Sequence, residues 1–88
     1  MKVEFKDSFL KDLRQIKNRV VLKRIKNIIE DFEMSQELKN IPNLKKLRGD
    51  DNYYRIRIGE YRIGLSIQSD CVVFIRCLHR KDIYRYFP

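Results

Sequence analysis

Eighty-eight residues suffice for one small domain, so the chain is read as a single unit over 1–88. Lysine and arginine number 20 against 12 aspartate and glutamate, and the resulting net charge of +8 points to an anionic partner, either nucleic acid or an acidic protein. With 36% charged residues and no apolar run near the ~18 residues a span needs, a membrane-crossing helix is excluded; Met1–Phe5 opens no signal-peptide core, and a cytoplasmic location is expected.

In chain order, Met1–Phe5 alternates Val3 and Phe5 against Lys2 and Glu4, which predicts a short strand. A helix follows to about Lys17, with Asp7 or Ser8 as its N-cap and Phe9, Leu10, Leu13 and Ile16 as its apolar stripe. Asn18 breaks it. A second helix runs from about Arg19 to Met34 and buries Val21, Ile25, Ile28, Ile29 and Phe32. Its basic residues, Arg24 among them, read as a solvated face. The two helices form a hairpin with a very short turn. Ser35–Asn43 is polar, contains Pro42 and reads as a loop; Leu44–Gly49 follows, and Asp50-Asp51-Asn52 is a turn.

Asn52–Leu65 reads as a β-hairpin around Gly59-Glu60, with Gly59 at the position where a type II′ turn needs positive φ. That turn sets Ile58 opposite Tyr61, Arg57 opposite Arg62, Ile56 opposite Ile63 and Arg55 opposite Gly64. One face then carries Tyr54, Ile56, Ile58, Tyr61, Ile63 and Leu65, a core face; the other carries Tyr53, Arg55, Arg57, Arg62 and Gly64. Like charges directly opposite one another destabilise a sheet. One such arginine would be an ordinary solvated residue. Three on one face, without a carboxylate beside them, read as a seat for a polyanion. Gly64 reads as a gap beside Arg55 that leaves room for a ligand.

The hairpin's second strand continues to Gln68. After a turn at Ser69-Asp70 the last strand spans Cys71 to Cys77; its run Val72-Val73-Phe74-Ile75 is apolar on both faces, as an interior strand requires. The two cysteines stand ~20 Å apart along that strand, beyond disulfide reach, and with a single histidine no metal spacing exists, so inert thiols, no metal and no cofactor are expected. The end, His79–Pro88, is dense in basic and aromatic residues, and Ile83, Tyr86 and Phe87 are spaced for a short helical turn against the core. The order is β-α-α-β-β-β. The class is α+β, with the helical hairpin on one face of an antiparallel sheet and the arginine face open.

Three segments together carry a family resemblance: Lys46-Leu47-Arg48-Gly49, then Tyr54-Arg55-Ile56-Arg57-Ile58-Gly59-Glu60-Tyr61-Arg62, then His79-Arg80-Lys81-Asp82-Ile83-Tyr84-Arg85. In order, spacing and the preceding helical hairpin, the whole chain resembles the RelE/ParE superfamily of bacterial type II toxins, on the RelE side. The resemblance implies a ribosome-dependent endoribonuclease, an mRNA interferase that cleaves the A-site codon by attack of the ribose 2′-OH on the adjacent phosphate without a metal. It implies as partners the ribosome, mRNA and an acidic, partly disordered antitoxin. By the same resemblance Arg55 and Arg57 stand where lysines contact the scissile region, Arg62 and Arg80 match arginines that hold the phosphate, and Tyr84 matches a tyrosine that orients a base. Lys45, Lys46, Arg48, Tyr53 and Lys81 would grip RNA around them.

The chemistry of these residue types fits. Guanidiniums bind phosphate bidentately, and unpaired bases stack on tyrosine. One substitution departs from the family. Arg57 stands where a lysine base is assigned, and arginine does not give up a proton at neutral pH. His79 is the one histidine, the side chain type that titrates near neutrality, and it either does acid/base work or caps the last strand. Without it the site relies on positioning and charge. Two other functions remain open at this stage: a ParE-like gyrase inhibitor, and a non-catalytic RNA-binding relative.

Overall fold

A computed structural model describes residues 1–49 and 51–88; Asp50, part of the turn read from sequence, lies outside the described residues. The elements are β1 (Lys2–Phe5), α1 (Asp7–Gln15), α2 (Arg19–Met34), a 3₁₀ turn at Leu38–Asn40, β2 (Leu44–Lys46), β3 (Tyr53–Ile58), β4 (Tyr61–Gln68), β5 (Cys71–His79) and α3 (Ile83–Tyr86). They build an α+β fold on one five-stranded sheet of order β1-β5-β4-β3-β2. No helix among the described residues is long and apolar enough to cross a membrane.

Two features correct the sequence reading. The sheet is mixed, because β1 pairs in parallel with β5, Val3 opposite Val72 and Phe5 opposite Phe74. Parallel neighbours need a long connection, and here it contains every other element except α3, so no local signal announces it. The second feature is β2, a three-residue edge strand that pairs Lys45 with Arg55 and Leu44 with Ile56. Two lysines in three residues hide it in the sequence, and the same lysines blunt an edge that would otherwise recruit other strands. The hairpin register of β3 and β4 is the predicted one at every pair, Arg57 opposite Arg62 and Arg55 opposite Gly64 included. Gly59 has φ 54 in the turn.

The core lies between the helical hairpin and one sheet face. Phe9 of α1 and Val21, Ile25, Ile28 and Phe32 of α2 pack on Ile56, Ile58, Ile63, Leu65 and Phe74. Phe74 is the centre of an aromatic group, with Phe9 at 5.2 Å, Phe5 at 5.6 Å and Phe32 edge-on at 5.7 Å. Rings in such offset and edge-on pairs add about 0.5–1.5 kcal/mol each beyond their area burial. Asn18 does more than end α1: its side-chain oxygen accepts from the Val20 and Val21 N–H groups and so N-caps α2.

Neither Asp7 nor Ser8 caps α1; the cap position is Lys6, with no side-chain hydrogen bond. Ser8 instead donates to the Ile75 carbonyl at 2.6 Å. One turn later Asp12 accepts from the Cys77 N–H at 2.9 Å and takes Arg76 bidentately, at 2.8 and 3.1 Å. β1 covers β5 only as far as Phe74. Beyond it, α1 finishes the strand edge with side chains in place of another strand, which answers the backbone groups a sheet edge leaves unpaired. Asp12 and Arg76 are largely shielded from solvent, and Asp12 is the main cause of the raised Arg76 pKa. Asp12→Ala should therefore lower unfolding stability by about 3 kcal/mol, the range for removing one partner of a shielded pair; a urea titration measures it.

Both cysteines are free. Burial, with Asp12 nearby, pushes the Cys77 thiol up to about 12, so it stays protonated and inert. Cys71 is half-exposed and donates to Glu4, the main reason its own pKa is raised.

The opposite sheet face is not bare. After β5 the chain turns through Asp82 into α3, buries Ile83 completely, and lays Phe87 on the sheet with 3% exposure. The Phe87 ring fills the space over Gly64: a Cβ there would lie 2.6 Å from two ring carbons. Tyr53 meets the same ring edge-on at 5.5 Å, and Arg76 lies 5.6 Å over the Tyr86 ring. The gap read beside Arg55 is thus the seat of an aromatic anchor, invisible to hairpin register because its occupant lies 23 residues further along the chain.

Candidate functional site

Sheet alternation sorts the basic residues. Lys45, Arg55, Gly64 and Arg76 form one row across β2, β3, β4 and β5, and Arg57, Arg62 and Leu78 form the next. Lys45, Arg55, Arg57 and Arg62 lie on the face away from the helical hairpin, whereas the Arg76 guanidinium reaches Asp12 of α1. Lys46, paired with Tyr54, falls on the other face. Arg48 and Lys81 are exposed beyond the strand ends, and Tyr53 stands one row beyond Arg55, against Phe87.

Arg62 is the centre of the cluster. Its Nη1 donates to the Gly59 carbonyl at 2.7 Å and to the Tyr61 carbonyl at 2.8 Å, which clamps the guanidinium over the turn. Partial burial, then the fields of Arg57, Arg55 and Arg80, hold its pKa below the usual arginine value, and Tyr84 acts in the opposite direction. Five separately predicted residues are thus brought within electrostatic reach of one another. An arginine stays protonated throughout. Like charges held together in this way repel, and an arriving phosphate relieves the repulsion.

Arg80 comes from the end of β5. Its N–H donates to the Glu60 carbonyl at 2.8 Å, and its Nε reaches Glu60 Oε2 at 2.9 Å. Glu60 was read only as a turn residue. In a two-residue turn its carboxylate projects over the strand ends, directly beside the basic residues. Arg24 of α2 was read as solvated face, yet its Nη1 lies 3.9 Å from where a Gly59 side chain would begin, so the basic surface continues onto the helix. Tyr84 is 61% exposed on α3, free to meet a ligand.

His79 does not share the arginine face. It pairs with Tyr61, whose ring it meets at 6.0 Å. Its Nδ1 accepts from the Lys81 N–H at 3.2 Å, and its Nε2 lies 3.7 Å from Glu60 Oε2. A neutral imidazole has one free lone pair, and here that pair is engaged by backbone. No group of three or more His, Cys, Asp or Glu side chains able to hold a metal occurs among the described residues.

Comparison with known proteins gives this geometry a context. Residues 3–84 match the family model described as ParE toxin of type II toxin-antitoxin system, parDE. The chain belongs to the RelE/ParE superfamily of type II toxins. It is 48% identical over 89 residues to Toxin RelE3 of Methanocaldococcus jannaschii, with 100% of both chains covered. A second protein of that organism, Putative toxin RelE1, is 32% identical over 81 residues, covering 91% of this chain and 89% of its own. Among solved structures, a RelB-RelE antitoxin-toxin complex from Methanococcus jannaschii superposes with a TM-score of 0.83 at 46% identity, covering 97% of this chain and 99% of that one. These relatives are archaeal, whereas the motif was read by likeness to bacterial toxins. Both names of the superfamily occur among these matches, ParE for the family model and RelE for the individual relatives.

Proposed function

We propose that this toxin is an mRNA interferase: a ribosome-dependent endoribonuclease that cleaves mRNA by 2′-OH attack and is neutralised by a RelB-like antitoxin. The observation that carries the reading is the Arg55, Arg57, Arg62 and Arg80 cluster around a clamped guanidinium. A pentavalent phosphorane gains negative charge over the ground state, and fixed donors aimed at that charge stabilise the transition state more than the substrate. Tyr84 and Tyr53 offer ring faces to unpaired bases, and Lys45, Arg48 and Lys81 supply peripheral charge toward the backbone. In-line attack is an orientation problem, and a ribosome that aligns the codon would leave the toxin to supply charge alone.

Names of relatives support the partner. A RelE of 46% identity is solved as a RelB-RelE complex, and an acidic, partly disordered antitoxin would complement a chain of net charge +8. The family model's ParE description favours one rival, a gyrase poison of the same fold. Primer extension on an mRNA programmed into purified ribosomes separates the two. Cleavage on ribosomes with none on naked RNA is the expected result. Intact mRNA together with loss of gyrase supercoiling would overturn the proposal.

A further inference from the structure

We infer that Glu60 is the proton acceptor of this site, the catalytic group that takes the 2′-OH proton during RNA cleavage; the inference rests on the endoribonuclease reading above.

An attacking 2′-OH must lose a proton, and the arginine cluster cannot take it, since a guanidinium only donates. Around Arg62 the remaining candidates are few. Tyr84 carries a phenol that would first have to lose its own proton. His79 has its free lone pair on the Lys81 N–H and sits on the other face. Glu60 is different. It belongs to the turn that Arg62 clamps through the Gly59 and Tyr61 carbonyls, so its backbone is fixed relative to the phosphate seat. Its side-chain contacts among the described residues, to Arg80 Nε at 2.9 Å and His79 Nε2 at 3.7 Å, both use Oε2. Oε1 makes no hydrogen bond or ion pair among the described residues, and the side chain is 61% exposed, so this oxygen is open to a ligand. A phosphate bound by Arg80 would lie beside that carboxylate, because Arg80 Nε is already 2.9 Å from it. Arg80 orients the carboxylate, as second partners commonly orient a base.

The step balances without a further reagent than water. The O2′–P bond forms as the 2′ proton passes to Glu60. The P–O5′ bond breaks, the 5′-oxygen takes a proton from water, and the hydroxide left behind takes the proton back from Glu60. The products are a 2′,3′-cyclic phosphate and a 5′-hydroxyl.

Glu60→Gln tests this, because the amide oxygen still accepts from Arg80 Nε while proton acceptance and the negative charge are lost. On mRNA in purified ribosomes, single-turnover cleavage should fall by about 100-fold or more, the usual range for a general base. KM should stay or fall, since a negative charge next to the RNA has gone. The acid-side decline of the wild-type pH profile should disappear. The charged and titratable groups shown against Glu60, Arg80 just after β5 and His79 at its end, are unchanged in the variant, as are Arg62 and Arg57 of the hairpin and Arg24 beside Gly59. Glu60→Asp should recover part of the rate. Thermal melts of both variants establish that they fold. If Glu60→Gln cleaves within twofold of wild type with the same pH profile, Glu60 only positions Arg80 and the inference is wrong while the endoribonuclease reading stands. If the wild-type toxin leaves ribosome-bound mRNA intact, both fall.

Discussion

Replacing Gly64 with alanine is expected to expel Phe87 from the sheet and to cost both stability and activity. The new methyl would lie 2.6 Å from the Phe87 ring, well inside contact distance, and Gly64 itself sits in a paired strand between Arg55 and Arg76. Strand backbone held on both sides cannot retreat, so the C-terminal segment has to move. Overpacking of this kind costs about 1–3 kcal/mol. The functional loss follows from connectivity: Phe87 anchors the segment that carries Arg80 and Tyr84 to the cluster, and Tyr84 lies three residues before it. Cleavage should fall together with the urea midpoint. Phe87→Ala, which removes the ring from the other side, should give the same phenotype. The double variant should be no worse than either alone, because both remove one contact. Additive losses would show that Gly64 and Phe87 act independently, contrary to the packing described.

Arg62→Ala should abolish most cleavage while leaving the fold intact. Losing one preorganised donor at a site of developing charge costs about 10²–10³ in rate. Stability should change by no more than about 0.5 kcal/mol, as at ordinary surface positions. The variant loses two hydrogen bonds to carbonyls but also relieves the repulsion from Arg57, Arg55 and Arg80. Arg62→Lys should not restore activity. An ammonium lacks the planar fork that lets Nη1 hold the turn while Nε and Nη2 face the phosphate. Single-turnover rates on ribosomes and a thermal melt separate the two effects. Retained cleavage in Arg62→Ala would remove Arg62 from the centre of the site.

The hairpin was legible because its information is local. Two turn residues fix the register of β3 on β4, and alternation then decides which side chains share a face. Once that register is known, Arg55, Arg57 and Arg62 must lie together, whatever the rest of the chain does. The α2 stripe was legible for the same reason, since helical spacing alone selects Val21, Ile25, Ile28 and Phe32. The parallel pairing of β1 with β5 was not. Lys2 and Cys71 are partners across almost the whole chain, and no spacing rule links them.

Local chemistry also misdirected the reading where one residue had two possible partners. Ser8 and Asn18 both have the side chains of helix caps. Asn18 caps α2, but Ser8 is taken by the Ile75 carbonyl, because the edge of β5 passes within 2.6 Å of its hydroxyl. His79 likewise has the chemistry of a base or a cap, and its Nδ1 accepts from the Lys81 N–H while its strand position pairs it with Tyr61.

The amino-acid sequence by itself determined that this toxin has an α+β fold, a basic hairpin face and the segments of its superfamily, since each depends on periodicity and turn geometry within a few residues. The tertiary structure alone decided what stands around that face. It brought Arg80 and Tyr84 to Arg62, set Phe87 over Gly64, tied Asp12 to Arg76, and placed the Glu60 carboxylate beside Arg80. These are contacts between side chains of distant elements, and their positions follow from packing the whole core, which no local pattern encodes.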